Sequence, residues 1–296
     1  MPQLPDIASP RRKIGRRPFD FDQKVAVMAI VNRTPDSFFD DGRTYELAPA
    51  LDAALAAAQA GADIVDIGGV PFSPDTYEPS ESEEIELVVP FVEELSKHSD
   101  VAISIDTFRS GVARAALEAG AAIVNDTSGL QDPEMPALVA RSGAHIILTH
   151  SAAKPRQHLR KPTYDDVVDD VRAFLEERIG WMLAADAKMK QLIVDPGPDL
   201  NKNTLHTLEI CRRFDEFTTL GPPVLAALSN KDFIGETLDR AKHERLAGTM
   251  AATTWCIERG ARIVRAHDVA RTVEVVRMTE ALLGLREPAY LRHNVE

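Results

Sequence analysis

The sequence predicts an α/β protein built as a single (β/α)8 TIM barrel. The 296 residues are 44% hydrophobic, which is enough to bury one core, and β/α barrels commonly occupy about 250 residues as one domain. From Lys24 onward, short runs of β-branched residues alternate with Ala- and Glu-rich stretches. This alternation is typical of βα units that build a parallel sheet.

Eight predicted strands, taken in chain order, support a closed barrel. No long linker or change of composition separates them, and this favours closure over an open, doubly wound sheet. An open sheet would also carry a glycine-rich phosphate loop after its first strand, whereas residues 32–35 are Asn-Arg-Thr-Pro. The predicted strands are Val25–Val31, Asp63–Ile67, Val101–Ile105, Ala122–Val124, His145–Leu148, Gln191–Val194, Val224–Leu228 and Arg262–Val264.

A glycine marks the end of four predicted helices. Each stands three residues before an Ile that belongs to the next predicted strand. Glycine adopts the left-handed conformation that often ends a helix, so a buried strand follows at once. The unit of helix, glycine and strand therefore repeats along the chain, at Gly61, Gly120, Gly143 and Gly260.

The first 22 residues lack this periodicity and are rich in Pro and basic side chains. A basic segment of this kind is more often a mobile arm than a binding device. We therefore expect residues 1–22 to form a mobile N-terminal arm and residues 23–296 to form the barrel. The basic residues are Arg11, Arg12, Lys13, Arg16 and Arg17.

Composition argues against several classes of partner and compartment. The formal net charge of −12, from 46 acidic and 34 basic side chains, argues against nucleic acid or an anionic membrane as the main partner. No apolar run reaches the roughly 20 residues of a membrane span, and no signal-peptide core is present. Cys211 and Cys256 show no C-x-x-C pairing, which predicts reduced core residues. The sequence thus predicts a cytoplasmic protein with a small-molecule partner.

Polar or glycine residues follow every predicted strand, where a barrel builds its active site. A single Asp after a strand is more often a helix cap than a catalytic group. A polar or Gly-Gly element after all eight strands fits a binding site better. These elements are Asn32, Gly68-Gly69, Asp106, Asn125-Asp126, His150, Asp195, Ser229 with Lys231, and Arg265 with His267.

Four of these side chains suit a flat heterocycle that carries several N–H donors and a carbonyl acceptor. They are two carboxylates, an amide and an ammonium, and burying two charged acids without a ligand would be costly. A core network is the alternative use of the same groups. The four residues are Asp106, Asn125, Asp195 and Lys231.

Arg265 and His267 are one residue apart at the last strand end, so their side chains point to the same side and can grip an anion. A surface salt bridge is the alternative for an isolated Arg-x-His. Phosphate sites cluster at the last strands of barrels, and this favours the anion.

Seven motifs stand in order after the predicted strands. They are Asn32-Arg33-Thr34-Pro35-Asp36-Ser37-Phe38, Asp66-Ile67-Gly68-Gly69, Ser104-Ile105-Asp106-Thr107, Asn125-Asp126, Asp195-Pro196-Gly197, Ser229-Asn230-Lys231 and Arg265-Ala266-His267-Asp268. In this order they make the sequence similar to the dihydropteroate synthase family, from about Val25 to about Leu283.

The resemblance implies a transferase that joins the amine of p-aminobenzoate to the methylene of a dihydropterin and expels diphosphate. It implies that the four residues of the heterocycle site, Asp106, Asn125, Asp195 and Lys231, hold the pterin. It further implies that Asn32, Arg265 and His267 hold the diphosphate, Asn32 together with Mg²⁺. With the apolar run near Thr249–Ile257, it also favours a homodimer.

The sequence departs from the family in the loops expected to close over p-aminobenzoate. After Gly68-Gly69 the family usually has Glu-Ser/Thr-Ser/Thr-Arg-Pro, whereas residues 70–74 are Val-Pro-Phe-Ser-Pro, so Ser73 replaces the arginine. Asp199 replaces a flexible glycine and adds negative charge where an aminobenzoate must dock, and Asn230 replaces the arginine of Ser-Arg-Lys. Further unusual residues are Arg33, Phe39, Asp41, Thr149, Ser151, Ala152 and Lys154.

Three functions follow from this comparison. The favoured one is a homologue that keeps the pterin pocket but is inactive or very weak in dihydropteroate synthesis, because each lost charge-assisted contact can be worth about 1.5–3 kcal/mol. The second is an active synthase whose loops tolerate the changes. The third is a related pterin-dependent transferase, such as a methyl transfer enzyme, which would need a corrinoid partner or domain that this chain does not contain.

Overall fold

A computed structural model describes residues 5–33, 46–71, 75–157, 159 and 161–294. Two short strands come first, β1 (Arg11–Ile14) and β2 (Arg17–Asp20). Eight strands build the barrel: β3 (Ala26–Asn32), β4 (Ile64–Gly68), β5 (Ala102–Asp106), β6 (Ile123–Asp126), β7 (His145–Thr149), β8 (Leu192–Asp195), β9 (Val224–Ala226) and β10 (Ala261–Ala266).

Helices cover the outside of the barrel. They are α1 (Leu47–Gln59), α2 (Glu81–His98), α3 (Ser110–Ala119), α4 (Met135–Ser142), α5 (Val167–Ala184), α6 (Thr204–Arg212), α7 (Asp232–Leu238), α8 (Leu246–Glu258) and α9 (Val269–Leu282). Short 3-10 helices cover Met189–Gln191, Phe214–Leu220 and Lys242–Glu244. Within the described ranges, no helix is long and apolar enough to cross a membrane.

The eight barrel strands are all parallel and close on themselves. β10 pairs with both β3 and β9, and every other barrel strand pairs with its neighbours in chain order. Each predicted strand overlaps one of them, so the predicted (β/α)8 barrel is confirmed. The four glycines predicted at helix ends all have positive φ, from 72° at Gly143 to 121° at Gly120, as the left-handed end of a helix requires.

Residues 11–20 differ from the prediction of a mobile arm. β1 and β2 form an antiparallel hairpin that covers the amino end of the barrel. Ile14, Phe19 and Phe21 are buried in one cluster with the lowest interior residues of the barrel strands. Arg12 is also buried and donates a 3.0 Å hydrogen bond to the carbonyl of Leu192. The difference arises because apolar side chains at alternate positions of this basic segment pack against the barrel.

The barrel interior changes from apolar to polar along the strands. The lower layer contains Met28, Ala102, Leu225 and five isoleucines, at positions 64, 123, 147, 193 and 263. Two residues further along six of these strands the inward positions are polar, because side chains alternate with a period of two. These polar residues are Asp66, Ser104, Asn125, Thr149, Asp195 and Arg265. The layer places polar chemistry at the carboxyl end of the barrel.

Candidate active site

Strand register brings three predicted site residues into one row at the carboxyl end of the barrel. Asn32 lies opposite Gly68, Gly68 lies opposite Asp106, and Asp106 lies opposite Asn125. A Cβ on Gly68 would stand 3.5 Å from Asn32 Oδ1 and 3.5 Å from Asp106 Cβ. The glycine therefore leaves the space between the Asn32 amide and Asp106 open.

Asp66 links the predicted residues beneath this row. Its carboxylate is fully buried, and its Oδ2 accepts hydrogen bonds from Arg265 Nε at 2.8 Å and from Asn125 Nδ2 at 3.0 Å. The same guanidinium donates from its NH2 group to Asp106 Oδ2 at 3.1 Å. The structure thus brings Asp106, Asn125 and Arg265 together around a carboxylate that the sequence had not assigned to the site.

Burial and the charge of the nearby Asp66 carboxylate together raise the pKa of Asp106 to about 7, although Arg265 opposes both effects. A carboxyl group with this pKa is about half protonated at neutral pH. Asp106 can therefore accept hydrogen bonds from ligand N–H groups when it is ionised and donate one when it is protonated.

Asp195 and Lys231 form the opposite side of the site, after β8 and β9. Asp195 Oδ1 accepts a 2.8 Å hydrogen bond from the Gly197 backbone, and burial raises the pKa of this carboxyl group. Lys231 donates to the Pro198 carbonyl, and burial lowers the pKa of its ammonium. The charge of Arg265 acts on both groups, so this guanidinium links the two sides of the site electrostatically.

His267 lies at the rim, just after β10 ends. Its Nδ1 is 3.0 Å from Ser229 Oγ, and its backbone N–H donates to the same oxygen at 3.2 Å. The serine hydroxyl, from the loop after β9, therefore fixes the orientation of the imidazole ring. Arg265 points inward to the carboxylates, whereas His267 stands at the rim. Anion binding by this pair stays a prediction.

The carboxyl end of the barrel is thus surrounded by carboxylates, an amide, an ammonium and a guanidinium. Comparison with known proteins shows which family has this site. The profile of the family described as "Pterin binding enzyme" matches residues 28–267. The chain belongs to this family. It is 42% identical over 275 residues to inactive dihydropteroate synthase 2 of Mycobacterium tuberculosis, covering 90% of this chain and 85% of that protein.

Relatives named dihydropteroate synthase show the same relationship at slightly lower identity. The dihydropteroate synthase of Haemophilus influenzae is 36% identical over 255 residues, covering 86% of this chain and 93% of that protein. A crystal structure of Yersinia pestis dihydropteroate synthase in a sulfonamide drug complex superimposes with a TM-score of 0.88 at 33% identity, covering 93% of this chain and all 100% of that one. The chain is a dihydropteroate synthase homologue, as the motifs predicted.

The loop after β8 departs from the family at Asp199, and its carboxylate is held in place. Asp199 has a left-handed backbone, with φ of 63°. Its Oδ1 accepts from the Thr207 hydroxyl at 2.9 Å, and its Oδ2 accepts from the Phe233 backbone N–H at 3.2 Å. The carboxylate also stabilises the charged form of Lys231. The extra negative charge therefore lies beside a predicted pterin residue.

Lys202, which the sequence did not indicate as a site residue, forms a buried pair with His150 from the end of β7. Lys202 Nζ is 2.8 Å from His150 Nδ1 and donates to the carbonyls of Gly197 and Leu200, both at 2.9 Å. Burial lowers the pKa of His150 to about 2 and that of Lys202 to about 7. The imidazole is therefore neutral at pH 7 and accepts from the lysine, which joins the loop after β8 to the end of β7.

The loop after β4 is fastened by two arginines from neighbouring loops. Arg156 donates to the carbonyls of Pro71 and Thr76 and places its Nε 3.3 Å from Glu78 Oε2, with only 7% of its side chain exposed. Arg109 donates from its NH2 group to Glu78 Oε1 at 2.8 Å. Glu78 thus joins both cations, and the loop is held from two sides.

Other unusual residues have varied positions. Arg33 is buried and donates to the Leu87 carbonyl of α2. Asn230 has φ of 62°, and its carbonyl accepts from Arg245 NH1 at 3.1 Å. Ser151 donates to Asn201 Oδ1 at 2.9 Å, which links the loops after β7 and β8. Phe39, Asp41, Phe72, Ser73 and residues 34–38 of the first motif lie outside the described residues.

The donor set for a metal ion is small. Within the described ranges, no group of three His, Cys, Asp or Glu side chains is arranged to hold a metal. Asn32 offers one amide oxygen beside Gly68. Mg²⁺ commonly binds through one or two protein oxygens together with substrate phosphates and water. The residues present therefore fit a Mg²⁺ ion that binds with a diphosphate, and not a closed protein cage.

Proposed function

We propose that this chain binds a reduced pterin at the carboxyl end of the barrel and is inactive or very weak in dihydropteroate synthesis. The observation that carries the proposal is the contrast between two parts of the site. The group of Asp106, Asn125 and Arg265 is hydrogen-bonded around Asp66, whereas Asp199 holds an additional carboxylate beside Lys231.

The pterin side is chemically complete. Asn125 donates its amide N–H to Asp66, which leaves its carbonyl oxygen to accept a hydrogen bond from a ring N–H. Asp106 and Asp195 supply two further acceptors, and Lys231 supplies a donor for a ring carbonyl. Buried groups of this kind discriminate strongly for a ligand with matching donors, because a mismatched ligand leaves them unpaired.

The second-substrate side is electrostatically unfavourable for p-aminobenzoate. A carboxylate that approaches Lys231 meets the resident carboxylate of Asp199, which Thr207 and Phe233 hold in place. Two like charges about 5 Å apart repel by roughly 3 kcal/mol at an effective dielectric constant near 20. The relative in Mycobacterium tuberculosis that carries the name "inactive" supports the same proposal.

The proposal for the diphosphate-binding residues rests on the resemblance to the family. We propose that Asn32, Arg265 and His267 bind a diphosphate and that Asn32 contributes one oxygen to Mg²⁺. When bound, the ion would neutralise charge on the diphosphate oxygens. Ser229 holds the His267 ring at the rim for this contact.

A homodimer in the cytoplasm completes the proposal. The outer face of α8 carries Ala247 and Ala251 in line with Trp255, whose side chain remains 43% exposed. An exposed apolar stripe of this kind suits a two-fold interface between copies of the chain. Cys211 and Cys256 are buried free thiols, in keeping with a reducing compartment. Light scattering after size exclusion tests the dimer, and a monomeric mass at micromolar concentration would reject it.

Two measurements test the function. A steady-state assay with dihydropterin diphosphate, p-aminobenzoate and Mg²⁺ should show turnover far below that of a synthase such as the Haemophilus influenzae relative, used as the positive control. Calorimetry should show binding of 6-hydroxymethyl-7,8-dihydropterin but weak binding of p-aminobenzoate. Turnover equal to the control would instead establish the alternative, an active dihydropteroate synthase in folate biosynthesis, and undetectable pterin binding would refute the pocket.

A further inference from the structure

We propose that Asp66 is a positioning residue, which fixes the orientation of Arg265 and Asn125 so that both present their remaining polar groups to the ligand. The inference rests on the proposed pterin binding and adds a residue to that site. Asp66 lies on β4, one layer below Gly68, and its side chain is fully buried.

The two side chains reach Asp66 from opposite directions around the barrel. Arg265 extends from β10 past β3, because β3 separates β10 from β4. Asn125 extends from β6 past β5. Both end on the same oxygen, Asp66 Oδ2. One carboxylate therefore sets the position of two binding residues that are on non-adjacent strands.

The contact with Arg265 fixes the plane of the guanidinium. Arg265 Nε and NH2 are each 2.8 Å from Asp66 Oδ2, while NH2 also lies 3.1 Å from Asp106 Oδ2. An arginine side chain has considerable rotamer entropy to lose on binding a ligand, and it loses less when its planar guanidinium is already held. Asp66 thus supplies the preorganisation that the ligand would otherwise have to impose.

The contact with Asn125 determines which atom of its side-chain amide faces the ligand. Because Nδ2 donates to Asp66, the Asn125 carbonyl oxygen is the group left for the ligand. Without a carboxylate at position 66, the amide could rotate by 180° and present a donor in place of an acceptor. A flipped amide would oppose a ring N–H, and the pterin would lose that hydrogen bond.

A purely structural role is the competing explanation, and the barrel contains a matched control for it. Asp63 lies three residues earlier, immediately before the same strand begins, and is also buried. Its carboxylate pairs with Lys24 and accepts from the Val27 backbone at 3.1 Å. It makes no contact with the site among the described residues. Loss of Asp63 should therefore affect stability alone.

The experiment compares Asp66→Asn, Asp66→Glu and Asp63→Asn with the unmodified chain by calorimetry with 6-hydroxymethyl-7,8-dihydropterin. We expect Asp66→Asn to weaken binding about 30-fold, Asp66→Glu to restore part of that loss because the charge remains, and Asp63→Asn to change it by less than about twofold. Equal affinity in all four proteins would overturn the proposal. Should Asp66→Asn fail to fold, unchanged affinity in Asp66→Glu would overturn it equally.

Coupling between the residues gives a second readout that a structural role would not move. With dihydropterin diphosphate and Mg²⁺ as the ligand, Arg265→Lys in the Asp66→Asn background should weaken binding by no more than about threefold beyond the weaker single variant, because both changes remove the same contact. A loss of affinity in the double variant equal to the product of the two single-variant losses would contradict the positioning role.

A third readout needs no ligand and separates this inference from the proposed function. The Nε–H group of Arg265, assigned by its loss in Arg265→Lys, should exchange slowly with water in the unmodified chain and fast in Asp66→Glu, whose carboxylate is displaced. Absence of pterin binding in the unmodified chain would reject the proposed function alone. Equally slow exchange in Asp66→Glu would reject the positioning role.

Discussion

Arg265 places its NH2 group 3.1 Å from Asp106 Oδ2, yet the pKa of Asp106 is raised to about 7. An arginine at this distance normally lowers the pKa of a carboxyl group. Here the guanidinium is shared with Asp66, which lies nearer to it at 2.8 Å. Burial and repulsion from Asp66 therefore outweigh the attraction to Arg265, and Asp106 titrates near physiological pH.

Pterin affinity should rise with pH through this range, because ring N–H groups need the ionised form of Asp106 as acceptor. For one group of pKa about 7 in the free protein, the affinity should increase about tenfold between pH 6 and pH 8. Asp66, Glu84 and Asp126 raise this pKa and Arg265 lowers it. Calorimetry with the dihydropterin across this range is the measurement. Asp106→Asn should bind more weakly with a flat profile, and a persistent slope in that variant would assign the titration elsewhere.

The charge of Asp199 should be the largest single obstacle to p-aminobenzoate. Asp199→Asn keeps a side chain that tolerates the left-handed backbone but removes the charge, so p-aminobenzoate affinity should increase about tenfold or more. Asp239 is a suitable control, because it has φ of 52° and ends α7. Asp239→Asn should leave the affinity unchanged. Equal p-aminobenzoate affinity in Asp199→Asn and the unmodified chain would show that the Asp199 charge does not weaken binding.

The hairpin should contribute substantially to stability. Ile14 is fully buried against the lower layer of the barrel, and truncation of a buried Ile to Ala typically costs about 2–5 kcal/mol. Urea unfolding of Ile14→Ala should show a loss in this range. The neighbouring Lys13 is exposed, and Lys13→Ala should change the free energy of unfolding by about 0.5 kcal/mol or less. Equal stability of both variants would show that the hairpin is not docked in solution.

The loop positions 70, 71 and 75–79, which follow β4, should become more sensitive to protease when Arg156 is removed. Arg156→Ala eliminates the contacts to Pro71, Thr76 and Glu78, so local opening should become easier without global unfolding. We expect cleavage in this loop to accelerate about tenfold or more in limited proteolysis, since each lost contact to a charged group contributes about 1.5–3 kcal/mol. Arg172 on α5 is a partly exposed arginine paired with Asp169, and Arg172→Ala should leave the cleavage rate unchanged.

The sequence predicted the barrel and the polar rim because both depend on local pattern. Strand alternation and helix-ending glycines are visible in single segments, and a closed barrel then gathers all strand ends at one opening. Asp126 shows the limit of that argument, since its carboxylate accepts from the Ser128 and Leu130 backbones. It stabilises its own loop, as the helix-cap alternative allows.

Contacts between distant segments could not be predicted in this way. Arg265 and Asp66 are 199 positions apart, and only the closed barrel shows that they meet. Asp66 belongs to the motif that ends with Gly68-Gly69, but it lies one layer below the strand end, so the polar pattern at the strand ends does not include it. The hairpin was missed for the same reason, because its apolar side chains are satisfied by strands distributed over the whole chain.

The docked hairpin also has a consequence for the order in which the protein matures during synthesis. Its residues leave the ribosome before those of the barrel. However, Arg12 donates a hydrogen bond to the Leu192 carbonyl, the Ala8 backbone donates to Gly221, and the buried cluster extends to Ile263. The hairpin must therefore wait for β10, the last barrel strand, before it can dock completely. Until then the lower isoleucine layer is uncovered. The nascent chain therefore exposes this apolar surface, to which a chaperone can bind, until the hairpin docks.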